Sequence, residues 1–492
     1  SFLRAELPAL NDNQVLKRSR TPERLKKFIW QDSARDLGNS LSLSAETKGF
    51  FGINMASTGH GKTLGNVKIM AALNSERAKP RITIALGLRV LTLQTGEKLK
   101  EDLNLSEDEI ATLVGGAGIT ALQKMNDEES HQAENSSSED FLASIGSESQ
   151  AEFIDGDVFG GYDTPLTEAD FGVLLNDSKA RKLLYTPIIS TTIDHLVPAT
   201  ESLRGGRQIV PLLRLLTSDL ILDEVDDFGT KDLYAVTRLI YLSGLLGSRI
   251  MLSSATLAPD LVIGLFNAYQ AGYREWQKQH SLADDTGVIC AWFDEFKQDH
   301  VVVQNESAFE KAHQSYITHR AMQLEGMRVT APQRQGVIVP FTMPASTNPS
   351  KADYEAFAQS LLPAIKQMHE YHAEPVPASN SKNDQGKTVS TGILRIAHIS
   401  NIIPLTKAFF ELNINQDHAE SYALHIVPYH ARQLLLLRSV LEKRLDRILN
   451  RKNEEAIFNQ PEIKRALEKS DAKHHIFMII ASPVIEVGRD ID

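Results

Sequence analysis

Four short clusters in this chain carry side chains and spacings suited to phosphoryl transfer. Ala56-Ser-Thr-Gly-His-Gly-Lys-Thr63 lies between a short β-rich run and a helical run. It fits the phosphate-binding loop, with Ala in place of the first Gly. Small residues let backbone N–H groups close around anionic oxygens, and Ser57, Thr58, Gly59, His60 and Gly61 form that wall. Lys62 supplies a point charge, Thr63 a hydroxyl for Mg²⁺, and the following helix its positive end. Leu220-Ile-Leu-Asp-Glu-Val-Asp226 follows, with Asp223 placed 161 residues after Lys62. Asp223 is expected to hold Mg²⁺ through water, and Glu224 to orient and polarise the attacking water. Ser254-Ala-Thr256 begins 31 residues after Asp223. In that order and place, Ser254 and Thr256 would sense a γ-phosphate and couple it to a second domain. Upstream, Phe28-Ile-Trp-Gln-Asp32 puts Gln31 31 residues before Lys62. A glutamine amide can pair with the adenine N6/N7 edge while a neighbouring aromatic, Phe28, stacks on the ring. The expected cofactors are ATP and Mg²⁺.

These clusters need strand ends to position them. Short β-rich runs alternate with amphipathic stretches, which indicates βαβ units and parallel sheets in an α/β fold. The clearest strands are Ile53–Met55, Arg81–Leu86, Leu220–Leu222, Arg249–Leu252, Ile393–Ala397, Leu424–Val427 and Ile476–Ile480. Several run directly into the polar clusters, as the carboxyl ends of parallel strands do in doubly wound folds. Residues 372–392 read as a linker or long loop, and 344–350 as a shorter one. Phe266–Gln279 and Glu306–Arg328 look helical and are expected to connect two α/β halves. His474 and His475 read as a polar cap before a strand.

Length and composition set limits. The chain has 492 residues and a net charge of −11, a size that suggests about three domains. One cysteine, Cys290, excludes an internal disulfide framework and suits a reducing compartment. No apolar run approaches the ~20 residues that span a bilayer, so no membrane partner is expected. The negative charge is local. From Met125 to Ser178 there are 14 acidic residues and no Lys or Arg, and the remainder carries +3. This stretch reads as a solvated insertion at about 125–178.

Taken together, the motif order resembles superfamily 2 helicases, and several segments narrow it. Ala85–Gly96 (ALGLRVLTLQTG), Thr192–His195 (TIDH), Arg204–Phe228 (RGGRQIVPLLRLLTSDLILDEVDDF) and Ser482–Asp492 (SPVIEVGRDID) are similar to the CRISPR-associated helicase-nucleases of type I-F. The resemblance implies two tandem RecA-like domains with parallel sheets, the second truncated at its C-terminal side. The first would cover 1–265, a helical connecting segment 266–335, and the second 336–492. ATP and Mg²⁺ would lie between them.

Further roles come from the resemblance alone. Thr92, Gln94, Thr95, Gly115, Gly116 and Thr192 would contact single-stranded DNA from the first domain, and Asn401 and Ser482 from the second. Gly488 and Asp490 would link DNA to the nucleotide. Tyr429, His430 and Arg432 match a motif near the strand. Read alone, Gln94 and Thr192 also fit helix caps, and His430 a surface histidine. The implied activity is ATP-dependent, 3′-to-5′ single-stranded DNA translocation in CRISPR interference. Implied partners are an RNA-guided surveillance complex, an adaptation integrase and phage inhibitor proteins, in a prokaryotic cytoplasm. The family's arginine-finger motif and its HD nuclease, which would need a divalent transition metal, have no counterpart in these residues. The chain is therefore expected to be the motor portion of a longer polypeptide. Two other readings keep the same ATP site: an RNA helicase or restriction translocase subunit, and an ATP-gated docking module.

Overall fold

The computed structural model describes residues 2–10, 13–17, 23–74, 80–87, 89–114, 178–201, 208–282, 287–330, 336–340, 349–376, 386–412, 421–430, 432–433, 435–449 and 454–486. Two compact units divide the chain, Ser1–Pro332 and Gln333–Asp492. The acidic insertion, Gly115, Gly116, Gly488 and Asp490 lie outside the described residues.

In the first unit, eight strands form one sheet: β1 (Phe50–Asn54), β2 (Ile82–Leu86), β3 (Ile110–Leu113), β4 (Ile188–Thr192), β5 (Asp219–Asp223), β6 (Ile250–Ser253), β7 (Val288–Phe293) and β8 (Gln298–Val303). Their order is β3-β4-β2-β5-β6-β1-β7-β8. Every pairing is parallel except the β7–β8 hairpin. The central strands are apolar runs buried on both faces, as parallel strands sandwiched between helices must be. Alternation splits them. Phe51 and Ile53 join Phe266 and Phe309 in one core, while Phe50 joins Trp30 and Met70 in the other.

Parallel register fixes where the chemistry sits. Asn54 pairs with Ser253 across β1–β6, and Asp223 with Ser253 across β5–β6. The last residues of three central strands therefore share one edge of the sheet, and the phosphate loop, Glu224 and Ser254 leave from that edge.

The expected helical connector at 266–335 is corrected. Its two helices exist, Pro259–Gln279 and Glu306–Thr330, but β7 and β8 lie between them and extend the first sheet. All six residues of β7 (VICAWF) are buried. A short apolar run without alternation is hard to distinguish from a buried helix by periodicity. The first unit consequently reaches Pro332 and not 265.

The second unit holds β9 (Glu374–Pro375), β10 (Thr388–Arg395), β11 (Tyr422–Tyr429) and β12 (His474–Ala481) in the order β11-β12-β10-β9. Strands β10, β11 and β12 are parallel, with β9 antiparallel at the edge. Two expectations change here. The loop at 372–392 contains β9 and the start of β10. His474 and His475 lie inside β12, His474 Nδ1 2.8 Å from Thr388 Oγ1 and His475 Nδ1 3.0 Å from His425 Nε2. Among the described residues, no helix is long and apolar enough to cross a membrane.

Candidate active site

The phosphate loop is the turn between β1 and the helix Lys62–Ala72. Gly59 and Gly61 adopt φ of 77° and 71°, a region that costs other L-residues about 1–2 kcal/mol each. At Gly61 a second constraint applies. A β-carbon there would stand 2.7 Å from Gln31 Nε2 and 3.1 Å from the Phe28 ring. The first-turn amides of the helix have no intrahelical carbonyl to bond, which leaves donors facing an anion.

Side chains brace the loop from behind. Asn54 accepts from Ala56 N at 3.0 Å and donates to Asn66 Oδ1 at 2.7 Å. Trp30 Nε1 donates to His60 O at 3.0 Å, and Gln31 Nε2 to Gly61 O at 3.0 Å. Lys68 Nζ reaches Gln31 Oε1 at 3.1 Å. Gln31, expected to read adenine, is buried and spends one hydrogen on Gly61 of the loop and one lone pair on Lys68 of the following helix. Its amide keeps one of each for a base edge. Phe28, beside Gly61, is only partly buried and leaves ring surface for stacking.

The acidic cluster meets the loop at the sheet edge. Asp223 Oδ2 accepts from Thr63 Oγ1 at 3.2 Å, and Glu224 Oε1 lies 3.5 Å from Lys62 Nζ. Burial raises the Asp223 pKa, opposed by Ser253, Lys62 and Thr63. Burial also lifts Glu224 to about 7, with Lys62 opposing and Asp223, Asp226 and Asp227 adding to the rise. Glu224 sits at φ 49°, ψ 56°, left-handed geometry that non-glycine residues rarely adopt. Strain of this kind gathers at functional sites.

A divalent cation fits this arrangement. Asp223 Oδ1 and Ser253 Oγ are both buried and neither makes a hydrogen bond of ordinary length, although the Ser253 hydroxyl lies close enough to favour the charged carboxylate. A fully buried carboxylate oxygen without a donor is costly, and Mg²⁺ or its water shell would satisfy it beside the Thr63 hydroxyl.

The third cluster joins the other two. Ser254 N donates to Asn54 O at 3.1 Å, at the root of the phosphate loop. Thr256 N donates to Ser254 Oγ at 3.2 Å, and Thr256 Oγ1 donates to Asp226 Oδ2. Asp226 was not singled out as a site residue, although its place in Asp-Glu-x-Asp was visible.

The expected DNA contacts divide by exposure. Thr92 is fully buried, Thr192 and Thr95 are buried, and Gln94 is part-exposed. Thr92 therefore presents no side chain to a ligand in this structure. A buried side chain here packs the helix Arg89–Leu103 onto the sheet, and Gln94 is the group that faces outward. In the second unit, Asn401 accepts from Tyr354 OH at 2.9 Å, and Ser482, buried, donates its N–H to Tyr429 O at 3.0 Å.

Glu295 and Arg320 were missed. Glu295 accepts from Ser57 N at 3.1 Å and from Ser57 Oγ, and Arg320 Nη1 reaches Glu295 Oε2 at 2.9 Å. The signal was present: an apolar run, VICAWF, ends in Asp294-Glu295, the same pattern as Leu220–Glu224.

No family model matches the chain. It is 39% identical over 494 residues to the CRISPR-associated nuclease/helicase Cas3 subtype I-F/YPEST of Pectobacterium atrosepticum, covering 100% of this chain and 43% of that protein. To the protein of the same description from Pseudomonas aeruginosa it is 40% identical over 469 residues, covering 95% and 41%. The chain thus spans less than half the length of the curated relatives it matches. Crystal structures of T. fusca Cas3 with AMPPNP and with ADP share the fold, at TM-scores of 0.51 and 0.52 with 14% and 15% identity. Each alignment covers 100% of this chain and 44% of that one.

Proposed function

We propose that this chain, similar from end to end to one portion of the type I-F CRISPR-associated nuclease/helicases, is the ATP-driven motor of such a protein. It would translocate along single-stranded DNA and open a target for a nuclease domain elsewhere in the polypeptide. The observation that carries this reading is the meeting of Lys62, Thr63, Asp223 and Glu224 at one sheet edge, with Ser254 and Thr256 tied to both clusters.

Each group has a distinct task. Loop amides and Lys62 bind and orient the phosphates, and Thr63 with Asp223 would hold Mg²⁺, which supplies charge neutralisation on the phosphate oxygens when bound. Glu224 orients the attacking water and accepts its proton. Thr256 passes the state of the site to Asp226 and outward. Gln94, Asn401 and Ser482 remain the proposed contacts to DNA, with Gly115 and Gly116 among them by resemblance, while Gly488 and Asp490 are proposed at the nucleotide, in the loop that links it to DNA. An RNA-guided surveillance complex is the proposed recruiting partner, in a prokaryotic cytoplasm.

Hydrolysis measured with single-stranded DNA, single-stranded RNA and duplex DNA tests the reading, with Lys62→Ala as control. Stimulation by single-stranded DNA alone, lost in the variant, is the expected result. Stimulation by RNA, or a rate indifferent to nucleic acid, would overturn the DNA-motor assignment.

A further inference from the structure

A turn outside the four clusters grips the phosphate loop. Strand β7 runs beside β1 to the pair Asn54 and Phe293, and Met55 N donates to Phe293 O at 2.8 Å. The residues after β7 therefore emerge where the loop begins. Asp294 Oδ1 accepts from Phe296 N and Lys297 N, both at 2.7 Å, which fixes the turn and aims Glu295 at Ser57. Glu295 then takes both donors of Ser57, its backbone N–H on Oε2 and its hydroxyl on Oε1.

The helix Glu306–Thr330 completes the ring. Arg320 Nη1 lies 2.9 Å from Glu295 Oε2 and 3.4 Å from Asp294 Oδ2. Arg320 Nη2 donates to Ser57 Oγ at 3.0 Å. About one turn earlier on the same helix, Tyr316 OH donates to Lys297 O at 2.6 Å. Arg320 is 6% exposed and Asp294 1%, so the 2.9 Å Arg320–Glu295 bond is charge-assisted and of the strong class, with Asp294 a buried counter-charge beside it. Burial would push the Glu295 carboxyl up, but Arg320 and Ser57 outweigh it and hold the pKa below the usual value.

Fold cement explains only part of this ring. An Arg320–Asp294 pair would brace a hairpin without touching the phosphate loop. The donor pair from Ser57 to Glu295 has no such use, because Ser57 belongs to the loop and not to the sheet. Glu306–Thr330 is also the last helix of a unit that ends at Pro332. Two part-buried contacts, Ser57 to Glu295 and Glu295 to Arg320, therefore link the phosphate loop to this helix. Packed, hydrogen-bonded contacts of this kind switch between discrete arrangements and do not deform smoothly.

We propose that Ser57, Glu295 and Arg320 form a relay through which nucleotide occupancy of the phosphate loop biases the helix Glu306–Thr330 and the connection to the second unit. The relay rests on the motor reading above and names a route for its coupling. Glu295 and Arg320 are positioning residues that act through Ser57.

Linkage supplies a test that a structural role does not pass. The affinity of the full protein for a single-stranded oligonucleotide is measured with and without a non-hydrolysable ATP analogue. The ratio of the two is the coupling. In the unaltered protein the ratio departs from one by at least about fivefold. In Glu295→Gln and Arg320→Met it falls to within about twofold of one, and the double variant is no worse than either single one. General destabilisation would weaken both affinities and leave their ratio unchanged. Should Arg320→Met fail to fold, Ser57→Ala removes one hydroxyl and carries the same readout beside Glu295→Gln. A full ratio in the folded variants overturns the relay alone. A ratio of one in the unaltered protein overturns the motor reading and the relay with it.

Discussion

The Lys62 ammonium stands 3.5 Å from the Glu224 carboxylate, joining the phosphate loop directly to the residue that follows β5. The pair separates binding from chemistry. Lys62 is a charge for phosphate oxygens, whereas Glu224 has a strained backbone and partial exposure suited to holding a water. Glu224→Gln keeps the side chain's shape and removes its basicity. Hydrolysis is expected to fall about 10²–10⁴-fold while a fluorescent ATP analogue still binds. Lys62→Ala should lose both. Undiminished turnover in Glu224→Gln would remove it from the mechanism.

The buried Asp223 Oδ1, without a hydrogen bond of ordinary length, makes the metal requirement testable at one residue. Asp223→Asn retains the bond to Thr63 Oγ1 in size and loses the charge. Turnover titrated with Mg²⁺ should then need about 10–100-fold more metal, and a chelator should abolish activity in both proteins. An unchanged Mg²⁺ curve in the variant would place the cation elsewhere.

Much of this site was legible because its residues are local in sequence. Loop, strand end and tripeptide each sit within a few residues, and parallel strands bring such ends to one edge. The groups that escaped notice are those set by tertiary placement. Glu295 matters only because β7 lies beside β1, and that neighbour relation skips more than 230 positions along the chain. Arg320 is one of many basic residues on helices until a buried carboxylate is found opposite it. Burial was invisible for a related reason. The motif containing Thr92 predicts a location near the sheet edge but not which side chains face outward, and there the helix packing buries Thr92 and leaves Gln94 part-exposed.

Thr256 Oγ1 bonds Asp226, and Thr256 N bonds Ser254 Oγ, whose own amide holds Asn54 O. The tripeptide is therefore a bridge between the acidic cluster and the loop's root. Thr256→Val preserves shape and removes the hydroxyl. DNA-stimulated hydrolysis should stay within about threefold, while strand separation per ATP falls at least about fivefold. Equal losses in both assays would make Thr256 part of the chemistry.

Two glycines on the helix Pro259–Gln279 predict opposite outcomes. A β-carbon at Gly272 would stand 2.0 Å from Tyr241 O and 2.8 Å from Leu245 N on the facing helix, Thr230–Leu245. At Gly264 nothing lies within 4 Å. Gly272→Ala forces the helices apart, and overpacking of this kind costs about 1–3 kcal/mol or more. Gly264→Ala gains helix propensity of up to about 1 kcal/mol with no clash. Urea midpoints should move down for the first and up for the second. Two variants of like stability would mean that the helix contact is looser than drawn.

His313 connects stability to pH. It is 1% exposed, and its Nδ1 accepts from Trp292 Nε1 at 2.9 Å, so the ring must be neutral in the folded protein. Burial lowers its pKa to about 4, against about 6.5 in an unfolded chain. Below 6.5 the unfolded chain takes up a proton that the folded one refuses. Stability from this residue is therefore complete above pH 6.5 and is lost progressively down to about 4, by up to about 3 kcal/mol. Carboxylates titrate in the same range, so the slope must be compared with that of a variant. His313→Asn offers Trp292 a carbonyl oxygen in a similar place and cannot titrate. Its urea midpoint should fall less than that of the unaltered protein between about pH 7 and about pH 4.5. Parallel curves for the two proteins would show that His313 titrates alike in the folded and unfolded chain, and that the Trp292 bond is not what the acid breaks.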